Sequence, residues 1–129
     1  MKQADQARQP RRSVAVVVDD DAGQRFLCGT LFEEADFEVA ECATAEEAWE
    51  LIQRRRDDVQ LLFTDVYLPG SMDGIALAQK VHDALPNVPV IVTSGAAGER
   101  LGELPPRAEF LAKPWRPLDL LIRAERVRA

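Results

Sequence analysis

Two apolar runs in this sequence end abruptly in acids: Val14 to Val18 leads into Asp19, Asp20 and Asp21, and Val59 to Thr64 leads into Asp65. A third run, Val88 to Val92, is followed by Thr93 and Ser94, and a fourth, Ala108 to Ala112, by Lys113. If these runs are neighbouring strands, three or four carboxylates meet at one edge. They would repel one another, and one or more would have to protonate unless a cation shared the site. A hard divalent ion resolves the conflict. Mg²⁺ is suited to it, because it accepts a few carboxylate oxygens while keeping waters and open positions for phosphate oxygens. The Thr93 hydroxyl and the Lys113 ammonium are then donors for a trianionic group in flight, which is what phosphoryl transfer demands. An aspartate cluster after a strand is by itself an ordinary solvated turn. Its conjunction with Asp65, Thr93 and Lys113 points to chemistry.

The elements that must position these residues can be read from periodicity. The first run is short, rich in β-branched residues and continuously apolar, as a strand buried on both faces is, and the others are short and mostly apolar. Between them, Ala22 to Ala35 reads as a helix, with Leu27, Leu31 and Ala35 at four-residue spacing, and Phe37 to Cys42 as a strand interrupted by Glu38 and Glu41. Thr44 with Glu47 forms a capping box, after which Ala45, Ala48, Trp49 and Ile52 share a helical face. Arg54 to Arg56 follow where basic charge suits the helix dipole. A third helix is expected from Asp73 to Leu85, stopped by Pro86. Residues 94–106 hold three glycines and two prolines, so a fourth helix there must be short or irregular. Pro117 opens a last helix with Leu118, Leu121 and Ile122 on one face. Alternating strands and helices of this kind predict an α/β, doubly wound, five-stranded parallel sheet of flavodoxin-like architecture. Ligands of such sheets bind at the carboxyl ends of the strands, where the acids, Thr93 and Lys113 fall.

Composition narrows the function. The chain of 129 residues carries 16 basic and 22 acidic side chains; four of the basic and one of the acidic lie in residues 1–12, leaving the rest at −9. Such a body repels phosphate backbones and argues against nucleic acid as a partner. No apolar run approaches the ~20 residues of a membrane span and the N-terminus lacks a secretory signal, so the cytoplasm is expected. Residues 1–12 are polar and without period and read as a disordered leader, followed by one domain over residues 13–129. Cys28 and Cys42 lack metal-ligand spacing and are expected to be buried apolar residues. His82 reads as a half-exposed structural residue.

Four segments carry a family resemblance. Val16-Val17-Val18-Asp19-Asp20-Asp21 with Arg25, Thr64-Asp65-Val66-Tyr67-Leu68-Pro69 with Met72-Asp73-Gly74, Val92-Thr93-Ser94-Gly95, and Ala112-Lys113-Pro114-Trp115 together resemble the receiver domains of bacterial response regulators. The resemblance implies a (βα)5 receiver fold in which Asp65 is the phosphoacceptor. The donor would be a phosphohistidine on a sensor histidine kinase or histidine phosphotransfer protein. It further implies that Asp19 and Asp20 are the acid pair of a Mg²⁺ site completed by Asp65 and the backbone carbonyl of Tyr67. Thr93 would bind a phosphoryl oxygen and move, Lys113 would pair with the phosphate, and the Lys113–Pro114 bond would be cis. Phe110 stands at the position of the switch aromatic, and Tyr67 and Gly95 flank the phosphate and would tune its lifetime. Trp115 is expected to pack, with a partner contact as the alternative.

Two departures from the common pattern stand out: Gly70-Ser71 lengthens the loop after Pro69 by one residue, and the interval from Thr93 to Phe110, 17 positions, is short for a full fourth helix. No DNA-binding or enzymatic segment follows within the sequence, so the expected output is a downstream protein contact, a relay step or a phosphate sink. Two other functions fit parts of the pattern. A Mg²⁺-dependent aspartyl-phosphate phosphohydrolase would need a general acid where Tyr67 stands and a substrate cap, and a pseudo-receiver would keep the fold for binding alone.

Overall fold

The run Val14–Val18 is wholly buried because it lies inside a sheet with helices on both sides. The computed structural model describes residues 13–95 and 100–128. Its elements are β1 (Val14–Val18), α1 (Ala22–Glu34), β2 (Glu38–Cys42), α2 (Ala45–Arg54), β3 (Val59–Asp65), α3 (Gly74–Ala84), β4 (Val90–Ser94), a 3₁₀ turn (Leu101–Glu103), β5 (Glu109–Ala112) and α4 (Pro117–Arg128). The strands form one sheet in the order β2-β1-β3-β4-β5, and every pairing is parallel. This is the doubly wound α/β architecture expected from the alternation of runs and helices.

Alternate residues of the strands feed two cores. Val14, Val16, Val18, Leu62 and Val92 pack against Ala48, Ile52, Ile75 and Val81 of α2 and α3. Ala15, Val17, Leu61, Phe63 and Ile91 pack against Cys28, Phe32, Leu120 and Ala124 of α1 and α4. Phe63 meets Phe32 and Trp115 edge to face, at centroid separations of 5.7 and 6.0 Å. Trp115 thus takes the packing role.

Helix α2 buries the expected face, with the Thr44 hydroxyl accepting from the Glu47 N–H at 3.1 Å. The return bond of the box runs one residue further back, from the Ala43 N–H to Glu47 Oε1. Two other faces differ from expectation. In α1 the buried stripe is Cys28, Leu31 and Phe32, while Leu27 is 40% exposed. In α4 it is Leu120 and Ala124, while Leu118 and Ile122 face solvent. Both helices carry apolar residues on more than one face, so spacing alone admits two stripes. β4 begins two residues later than expected, at Val90, which draws Thr93 and Ser94 into the strand as buried residues. The expected leader, residues 1–12, lies outside the described residues. Among those described between β4 and β5, the helical structure is the single 3₁₀ turn.

Candidate functional site

The C-terminal ends of β1, β3, β4 and β5 lie side by side, and each delivers one of the expected residues. Asp19 follows β1 with its side chain buried, and its Oδ1 accepts the Asp21 N–H at 2.9 Å. Its carbonyl accepts Arg25 Nη1 at 2.8 Å. Asp20 is exposed. Asp21 does something else: its Oδ1 accepts the Gln24 N–H at 3.0 Å and caps α1, so it stands outside the acid pair. One carboxylate oxygen from each of Asp19, Asp20 and Asp65 lies within 4.8 Å of the others.

Asp65 ends β3, in register with Thr93 of β4. Its Oδ2 accepts Lys113 Nζ at 2.9 Å and its Oδ1 the Tyr67 N–H at 3.4 Å. Lys113 Nζ also lies 3.9 Å from Asp19 Oδ2, so one ammonium is shared by two of the three acids. The Lys113–Pro114 bond is cis, as expected. Thr93 is buried, and its hydroxyl donates to the Leu111 carbonyl of β5 at 2.6 Å. Phe110 is half-buried against a crevice of about 10 Å³ that it lines with Tyr67, Ser94, Arg100, Leu101 and Leu104. Gly95 is exposed, with open space where a side chain would project. His82 is half-buried in the last turn of α3, away from these groups.

The charge arrangement suits a cation. Burial raises the Asp19 pKa; the Asp21 N–H and Lys113 oppose the rise, while Asp65 and Asp20 add to it. Burial would depress Lys113, but its hydrogen bond to Asp65 and the charges of Asp65 and Asp19 outweigh that and raise it. Three carboxylates against one ammonium leave a surplus of negative charge that a hard divalent ion fits, with oxygen donors of the right class. Cys28 and Cys42 are buried, and burial first of all pushes both thiols up to about 12. Clefts of about 230 and 460 Å³ open at the opposite end of the strands around Pro86, Asn87 and Pro89, and one of about 330 Å³ lies beside Ser71, Asp73 and Arg100.

Three further residues shape the site, and of these only Gly74 stands in one of the sequence motifs. A side chain at Gly74 would meet the Asp65 carbonyl oxygen at 1.7 Å, so only glycine lets α3 start this close to the end of β3. Glu46 of α2 reaches across to the lengthened loop, where its Oε2 accepts from Ser71 N, Ser71 Oγ and Met72 N at 2.8–3.0 Å. Gly70 beside it has φ +101°, a conformation that favours glycine. Arg100 reaches back from the segment after β4 to Asp73, the N-cap of α3. A glycine next to an N-cap is a faint sequence signal for the first; the other two pair across more than twenty residues and leave none.

The model of the response regulator receiver domain family matches residues 15–125. Two two-component response regulators of Arabidopsis thaliana are 31% identical over 112 residues and 32% over 110, covering 81% and 83% of this chain. The chain spans only 28% and 21% of the length of those relatives. Among solved structures, the receiver domain of NtrX from Brucella abortus superposes with a TM-score of 0.75 at 28% identity, covering 88% of this chain and 96% of that one. A response regulator receiver protein from Sinorhizobium medicae has the same fold, with a TM-score of 0.83 at 22% identity over 90% of this chain and 94% of that one.

Proposed function

The chain belongs to the response regulator receiver domain family, and from that premise we propose that Asp65 takes a phosphoryl group from a phosphohistidine. The donor is a sensor histidine kinase or a histidine phosphotransfer protein, met in the cytoplasm. In the transfer the nitrogen–phosphorus bond breaks, a carboxylate oxygen of Asp65 bonds to phosphorus, and the imidazole leaves with the electron pair. The reading rests on one observation above all: Asp65 sits within 4.8 Å of two further carboxylates and 2.9 Å from the Lys113 ammonium.

Asp19, Asp20, Asp65 and the Tyr67 carbonyl are the groups that would hold Mg²⁺, which supplies positive charge against the oxygens of the group in transfer. Lys113 keeps its charge and remains within reach of the phosphoryl group once the Asp65 carboxylate is esterified. Thr93 must release the Leu111 carbonyl, its 2.6 Å partner, before its hydroxyl can donate to a phosphoryl oxygen. That exchange transmits the event to β5, where Phe110 rotates and alters a surface read by a downstream protein. Tyr67 and Gly95 flank the acyl phosphate and set how readily water reaches it.

The test is incubation with acetyl phosphate and Mg²⁺ followed by intact-mass measurement. One added phosphoryl group, lost in Asp65→Asn, is the expected result. No gain with any donor at any Mg²⁺ concentration would leave the fold as a binding module, and fast turnover of unrelated phosphate esters would make it a hydrolase.

A further inference from the structure

An ion-pair cluster stands beside the acidic site without belonging to it. Arg100 donates through Nη1 to Asp73 Oδ2 at 2.8 Å, and through Nη2 and Nε to the two carboxylate oxygens of Glu103 at 2.8 and 3.0 Å. Asp73 spends its other oxygen, Oδ1, on the Ala76 N–H as the N-cap of α3, and the Glu103 carbonyl accepts Gln79 Nε2 from the same helix at 2.7 Å. The guanidinium is therefore fixed from two directions. Held in this way, its central carbon lies 6.0 Å from the centroid of the Tyr67 ring, a cation facing an aromatic surface.

Tyr67 is two residues from Asp65, to which its N–H is bonded, and is itself 47% exposed. Tyr67 and Arg100 line the same crevice as Ser94, Leu101, Leu104 and Phe110, beside the end of β4. That crevice is almost filled, at about 10 Å³.

We propose that Arg100 is a positioning residue for the lifetime of the acyl phosphate: it pins the Tyr67 ring over the β4 side of Asp65 and so restricts the approach of water. The inference rests on the phosphoacceptor reading above. In the step it slows, a water oxygen bonds to phosphorus and the bond from phosphorus to the Asp65 oxygen breaks. Inorganic phosphate leaves, the carboxylate is regenerated, and the proton shed by water passes to phosphate or solvent. Arg100 is held by Asp73, Glu103 and the Tyr67 ring, so it acts through Tyr67.

The experiment is a double-mutant cycle on the full chain. Wild type, Arg100→Ala, Tyr67→Ala and the double variant are phosphorylated with acetyl phosphate and Mg²⁺, the donor is removed, and loss of the phosphoryl group is followed by intact mass. Arg100→Ala is expected to shorten the half-life about three- to fivefold, the scale set by releasing one partly exposed cation–π contact. In the Tyr67→Ala background the same substitution changes nothing further, and Arg100→Lys recovers part of the effect. Glu103→Gln, which loosens the guanidinium without removing it, shortens the half-life less and serves if Arg100→Ala fails to fold. An unchanged or longer half-life overturns the proposal, and so does an equal effect of Arg100→Ala in both backgrounds, the mark of general loosening. A wild-type chain that gains no phosphoryl group overturns the phosphoacceptor reading itself, an outcome distinct from normal gain with an unaffected lifetime.

Discussion

At Thr93, a buried hydroxyl already bonded to the Leu111 carbonyl would have to exchange that partner for a phosphoryl oxygen in the proposed transfer. Thr93→Val keeps the β-branched shape that suits a strand but leaves the Leu111 carbonyl without its donor. The expected cost is about 1–2 kcal/mol in urea unfolding, with Asp65 still phosphorylated but β5 no longer responding. A fully stable variant would mean that the hydroxyl bond contributes nothing. The two cysteines give a second residue-scale prediction. With thiol pKa values of about 12, only on the order of one thiol in ten thousand is ionised at pH 8, and the thiolate is the nucleophile. Labelling of the native chain by a thiol reagent should therefore be slow and become fast on unfolding; rapid native labelling would contradict the burial. Asp19, Asp65, Thr93 and Lys113 were legible in the sequence because each follows a short, mostly apolar run that reads as a strand. Arg100 and Glu46 were not, since their partners Asp73 and Ser71 lie 27 and 25 positions away.

At the scale of elements, the join between β3 and α3 is the most constrained. Gly74 donates its N–H to the Val66 carbonyl at 2.8 Å and sits where any side chain would strike the Asp65 carbonyl. Gly74→Ala must push α3 away from the end of β3, and we expect a loss of about 3 kcal/mol or more together with weaker Mg²⁺ binding, read by denaturant unfolding and by ion titration. A variant of unchanged stability would refute the close approach. A milder expectation attaches to α2, where Thr44→Ala removes the cap on Glu47 N and should cost about 1 kcal/mol. Which helices exist followed from the sequence; which faces they bury did so only in part. α2 has a single apolar stripe and was read correctly. α1 carries Phe26 and Leu27 outside its buried stripe, and α4 carries Leu118 and Ile122, so the apolar pattern there was ambiguous.

Across the whole molecule, two carboxylate clamps tie the loops that flank the acidic site. Glu46 is held below the usual carboxylate range by the Ser71 hydroxyl first, and Glu103 by Arg100. Burial would raise Asp73, but the Ala76 N–H and Arg100 outweigh it and lower it. Groups depressed in the folded state contribute stability that is present above their unfolded pKa, roughly pH 4 to 4.5, and lost as pH falls through the folded value. Thermal stability should thus drop as pH falls below about 4.5, with a smaller drop in Glu46→Gln; a profile identical in the two proteins would contradict the clamp. The five parallel strands were legible from short, mostly apolar runs, although Glu38, Glu41 and Glu109 interrupt two of them; their order in the sheet was not. The 3₁₀ turn at Leu101–Glu103 agrees with the short or irregular helix expected from the glycine and proline content. The proposed switch depends on Asp65 carrying the phosphoryl group. Its most direct test is to phosphorylate the chain, reduce the acyl phosphate with borohydride, and locate the reduced residue by peptide mass mapping. Homoserine at position 65 alone is the predicted result, and reduction at Asp19 or Asp20, or at no aspartate, would contradict it.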